Sequence, residues 1–147
     1  MKQDFPGSTF VKMGRLLRNS FAAEFKTIFG DEISPHESRA LGFIVRYPGT
    51  SQTEICKVFE LTKSSGSEIL ASLIEKGFVE ARINLDDRRG KHLFATPEGE
   101  KMEARAIAAL EEHDKRLFAD VSEEELEVAH RIYEKVAARM KGGKDGK

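Results

Sequence analysis

Apolar residues return at the helical interval along most of this chain, and just after Gly77 the interval drops to two. Phe78, Val79, Ala81 and Ile83 lead into Asn84-Leu85-Asp86-Asp87-Arg88-Arg89-Gly90, and Lys91-His92-Leu93-Phe94-Ala95 follows. Two alternating runs about a charged turn predict a β-hairpin. Almost everything else reads as helix, so the expected fold class is mostly α with one small β-hairpin.

Helix starts are marked by three capping-box patterns, in which a Ser accepts from the backbone three residues on and the acid there reaches back. They are Ser34-Pro35-His36-Glu37, Ser51-Gln52-Thr53-Glu54 and Ser122-Glu123-Glu124-Glu125, and Thr96-Pro97 adds a fourth start through proline at the first helical position. The helices then run over residues 9–29, 35–46, 52–59, 63–76, 97–118 and 123–140. Phe10, Leu17, Phe21, Phe25 and Ile28 form an apolar stripe on the first, and Leu126, Ala129, Tyr133, Val136 and Met140 one on the last. Pro48-Gly49 separates the second helix from the third, and Gly77 is a left-handed cap for the fourth. Residues 141–147 carry no apolar side chain and read as a disordered tail. A single domain over 1–140 is expected, with a lobe at 51–96 flanked by helices at 9–30 and 97–140.

Size and charge narrow the function. A chain of 147 residues with one cysteine needs no disulfides, begins without a signal-peptide core and has no run long enough to span a membrane. A cytoplasmic protein with no membrane partner is expected. The formal net charge is −1, but its distribution is uneven. Twelve acids face six bases between Pro97 and Lys135, which repels phosphate, whereas Arg82, Arg88, Arg89 and Lys91 outnumber Asp86 and Asp87 in the hairpin. Any contact with nucleic acid concentrates there.

A short helix, a tight turn, a second helix and a basic hairpin form the order of a winged helix-turn-helix. Residues 52–59 are the supporting helix, Glu60-Leu61-Thr62 the turn, and 63–76 the helix expected in the major groove. Ile69, Leu70, Leu73 and Ile74 face the core. Thr62, Lys63, Ser64, Ser65, Ser67 and Glu68 are the candidate groove contacts, and Arg82, Arg88, Arg89 and Lys91 the candidate wing contacts to phosphate or the minor groove. Asp87 is expected to orient a neighbouring arginine.

These residues carry a resemblance. Leu61-Thr62-Lys63-Ser64-Ser65 through Leu73-Ile74-Glu75-Lys76-Gly77-Phe78-Val79, then Arg82, Asp87-Arg88-Arg89-Gly90, Leu93, Thr96 and Gly99, resemble the multiple-antibiotic-resistance regulator (MarR) family. The resemblance implies a DNA-binding transcriptional regulator, commonly a repressor, whose first and last helices pair two copies on a palindromic operator and whose affinity answers a small molecule or oxidant. The chain departs from the family at Gly66, Glu68, Ala71-Ser72 and Glu60, where a branched apolar residue, an Arg, an Asp-Arg pair and a Gly are usual.

Phe21, Phe25, Phe29, His36, Phe43, His113 and Phe118 are the candidate pocket for a small aromatic effector, with a plain aromatic core as the alternative. Cys56 occupies a position where a small buried residue is usual, so a structural role is expected before a redox one. The four histidines show no pair at metal-binding spacing, so no zinc site or cofactor is signalled, although His36 and His113 with acids such as Glu24 or Glu112 remain an alternative, and His92 in the wing strand is expected to face solvent or DNA. No phosphate loop, nucleophile elbow or metal motif suggests an enzyme. The competing reading is a winged-helix protein-interaction module that has lost specific DNA binding.

Overall fold

The structure, a computed structural model, describes residues 5–83 and 90–145, with only the helical backbone given from 143 onward. Its elements in chain order are α1 (Ser8–Phe29), α2 (Pro35–Arg46), α3 (Gln52–Val58), α4 (Lys63–Glu75), β1 (Val79–Ile83), β2 (Lys91–Ala95), α5 (Pro97–Leu117) and α6 (Glu123–Asp145). The mostly helical class with one hairpin is as expected. The chain divides into two compact units, Met1–Glu111 and Glu112–Lys147, where one domain over residues 1–140 is expected from the sequence.

Local chemistry sets the helix starts. At α2 the capping box is complete: Ser34 Oγ accepts from Glu37 N at 3.1 Å and Glu37 Oε1 accepts from Ser34 N at 2.8 Å, with Pro35 at the first position. The same exchange closes at α6 between Ser122 and Glu125. At α3 only half of it forms, Ser51 Oγ accepting from Glu54 N at 3.2 Å. Thr62 caps α4 and Thr96 caps α5 through their hydroxyls, which accept from Ser65 N and Gly99 N.

Most helix ends agree with the sequence reading to within a residue, the ordinary uncertainty of a fraying terminus. The last helix differs more, α6 being assigned through Asp145.

In the first unit, Phe25, Phe29, Ile33, Leu41, Ile44, Ile55, Leu70, Leu73, Val79, Leu93, Met102 and Ala106 form one buried core. Two of the four residues expected on the core face of α4 are therefore buried; Ile69 packs against the core edge, and Ile74 is instead exposed. The hairpin is antiparallel with Ala81 opposite Leu93, and Thr50 bridges Leu93 from the other side, tying the α2–α3 connection to the wing. Gly99 is where α5 enters the core. A Cβ there would lie 2.0 Å from the carbonyl oxygen of Phe78, so only glycine fits.

Candidate nucleic-acid interface

The turn between α3 and α4 closes as a Schellman motif, Leu61 N donating to Cys56 O at 2.9 Å with Glu60 at φ 53°. Glu60 thus adopts the left-handed conformation usually given to glycine. Beyond the turn, α4 is seated by two devices that the sequence reading did not contain.

The first is a close approach. A Cβ built on Gly66 would lie 2.3 Å from Cys56 Sγ, and the same sulfur points to Thr62 O at 3.7 Å. Gly66, a poor helix former, is therefore the notch that lets α4 lie against α3. The second device is Glu37. Its carboxylate accepts from Ser72 Oγ at 2.5 Å and from Lys76 Nζ at 3.0 and 3.2 Å while it also caps α2. Burial alone would raise its pKa, but the bonds from Ser72, Ser34 and Lys76 outweigh burial and hold the carboxyl below the usual carboxylate range. Ser72, one of the departures noted above, so joins the recognition helix to α2. The capping pattern identified Glu37 in sequence; its second role depends on a contact across the fold.

Held this way, α4 stands as a ridge. On one flank a groove of about 660 Å³ runs between Ser51, Gln52 and Thr53 at the start of α3, Lys63, Ser67 and Ala71 of α4, and Gly90 and Lys91 of the wing. On the other a hollow of about 410 Å³ is lined by His36, Glu37, Leu61, Ser65, Glu68 and Ser72. Ser64, Glu68, Ala71 and Glu75, spaced four, three and four apart, share the exposed crest. Thr62 Oγ1 donates to Ser65 Oγ at 3.0 Å, so these two candidates are engaged with each other at the start of the helix.

In the wing, Arg82 is exposed yet held. Its Nε donates to Glu80 Oε1 at 2.8 Å, Nη2 donates to the same oxygen, and the guanidinium lies 4.2 Å from the Phe94 ring centre. His92, expected toward solvent or DNA, is instead half-buried with Nδ1 3.0 Å from Gly49 O, because its strand packs on the α2–α3 connection. Asp87, Arg88 and Arg89 lie outside the described residues.

Phe21 and His36 line a cavity of about 570 Å³ between α1 and α2, together with Arg18, Asn19, Lys26, Asp31 and Arg39. Arg39 Nη2 lies 2.8 Å from His36 Nδ1, and since a guanidinium only donates, that ring nitrogen accepts. Phe25 and Phe29 are buried in the core, their rings 4.4 Å apart, and Phe43 packs between Tyr47 and Phe59. His113 and Phe118 belong to the second unit. No cluster of three or more metal-binding side chains occurs among the described residues.

A supporting helix, a capped second helix and a paired hairpin returning to the core define a winged helix-turn-helix protein. Residues 32–90 match the model of the MarR family, and the chain is similar to that family over this span. Over 65 residues the chain is 40% identical to the HTH-type transcriptional regulator PetP of Rhodobacter capsulatus, a match spanning 44% of this chain and 39% of PetP. Among solved structures, MarR superposes with a TM-score of 0.80 at 24% identity, over 97% of this chain and 98% of that one. FabT of Streptococcus pneumoniae, solved in complex with DNA, gives 0.74 at 20% identity, over 91% and 96%. The proteins it resembles are regulators rather than enzymes. No described helix is long and apolar enough to cross a membrane.

Proposed function

We propose that this protein is a cytoplasmic DNA-binding transcriptional regulator, a repressor that works as a homodimer on a palindromic operator and releases it when a small aromatic anion binds. The observation that carries this reading is the ridge of α4 beside a groove whose far wall holds Lys91 of the wing. Ser64, Ser67 and Glu68 meet base edges; Thr62, Ser65 and Lys63 serve the first turn; Arg82, Arg88, Arg89 and Lys91 meet phosphate, with Asp87 orienting an arginine. The hydroxyls and wing charges make binding depend on DNA shape and backbone as much as on bases.

Pairing of two copies is supported by exposed apolar side chains on the outer helices: Phe10, Val11 and Leu16 of α1, and Val128, Ile132 and Val136 of α6. The effector reading rests on the cavity between α1 and α2, where Arg18, Lys26 and Arg39 surround Phe21. A carboxylate finds donors there and an aromatic ring finds a partner.

Fluorescence anisotropy with duplexes from the chain's own upstream region, at several salt concentrations, tests the reading. The expected result is sequence-selective binding whose log affinity falls linearly with log salt. Glu68 and Glu75 on the crest favour the alternative, a protein-interaction module; affinity no better than for random duplex selects that alternative.

A further inference from the structure

The crest of α4 is acidic where a groove-reading helix usually carries bases, and this points to a particular base. Ser64, Glu68, Ala71 and Glu75 line the crest, and all four are exposed. Glu68 lies in the N-terminal half, the end of a recognition helix that reaches base edges, whereas Glu75 is the last residue of α4. Unlike Glu37 and Glu80, Glu68 is in no ion pair or hydrogen bond among the described residues.

A carboxylate at neutral pH only accepts hydrogen bonds. In the major groove guanine offers two acceptors and thymine an acceptor and a methyl group, so both repel or ignore it. Adenine offers an amino group, but beside the N7 acceptor. Cytosine offers its N4 amino group with no acceptor next to it on that edge. A bare carboxylate among phosphates is also unfavourable unless such a donor meets it, which makes the residue selective as well as attractive.

We propose that Glu68 is a specificity-determining residue that accepts a hydrogen bond from cytosine N4 at one position in each operator half-site. The proposal rests on the regulator reading above. Because the carboxylate is repelled elsewhere, most of its effect is discrimination rather than affinity.

Binding-site selection from a randomised duplex library, run with wild-type protein, Glu68→Gln and Glu68→Ala, tests it. The wild-type consensus is expected to hold one C·G pair per half-site, and replacing that pair by A·T weakens binding about tenfold, within the range of one good base contact. In Glu68→Gln the preference at that pair alone moves to A·T, since glutamine pairs with adenine N6 and N7. In Glu68→Ala the preference at that pair disappears and the rest of the consensus stays. A consensus identical in all three proteins, or a change spread evenly over the site, overturns the assignment while leaving the regulator reading intact. A wild-type protein that selects no consensus overturns both. Equal thermal midpoints are expected for the three proteins, as befits an exposed position.

Discussion

Replacing Gly66 by alanine sets two effects of known size against each other. In an unobstructed helix the change gains about 1 kcal/mol of helix propensity. Here the new Cβ would lie 2.3 Å from Cys56 Sγ, more than 1 Å inside the roughly 3.5–4.0 Å at which carbon and larger atoms rest. The sulfur belongs to a short side chain already turned toward Thr62 O, so either it rotates and gives up that contact or α4 lifts from α3. Overpacking of this kind costs about 1–3 kcal/mol, and against the propensity gain the net is a loss of up to about 2 kcal/mol. Removing the sulfur reverses the sign: Cys56 Cβ is 4.0 Å from the new atom, an ordinary contact. Urea denaturation of wild type, Cys56→Ala, Gly66→Ala and the double variant, at one fixed protein concentration, closes the cycle. The expected coupling is about 2 kcal/mol favouring the double variant, in which alanine at 66 is no longer destabilising. Gly66→Ala that stabilises the protein with Cys56 in place, or a coupling near zero, refutes the notch.

Other substitutions test the remaining supports. Glu37→Gln is expected to cost about 1.5–3 kcal/mol at neutral pH, the range for bonds to a charged group. Because the folded carboxyl titrates below its ordinary value, this stability is present above the ordinary pKa and is lost as pH falls through the folded one. The gap between wild type and Glu37→Gln, followed by denaturant midpoints, therefore narrows on acidification; a gap that widens contradicts the assignment. Glu60→Gly relieves about 1–2 kcal/mol of left-handed strain and costs about 0.5–1 in chain entropy, so a net gain of about 0.5–1 kcal/mol in thermal or urea denaturation is expected. Arg89→Ala is expected to weaken binding to all duplexes alike and to flatten the salt slope by about 0.9; an unchanged slope removes Arg89 from the interface.

What the sequence disclosed and what it hid follow from the range of the interactions. Ser34, Ser51, Thr96 and Ser122 act within one turn, so their caps were legible as short patterns, and the period change after Gly77 located the hairpin. Contacts between distant segments were not legible. Glu37 looked like a capping residue until Ser72 and Lys76 arrived from another helix, and Gly66 looked like a weak point until Cys56 filled the space in front of it. His92 was assigned to the surface because a strand pattern does not reveal that Gly49 packs beside it. Of the seven candidate effector residues, Phe21 and His36 line one cavity while Phe25 and Phe29 lie in the core, a distinction that aromatic character alone does not carry.

Hydroxyl-radical footprinting of the best-bound duplex measures the central claim most directly. Two copies, each with α4 in the major groove, predict protections related by a two-fold axis with centres about 34 Å apart, one helical turn of DNA. A single unsymmetric patch, or uniform protection without a boundary, contradicts it.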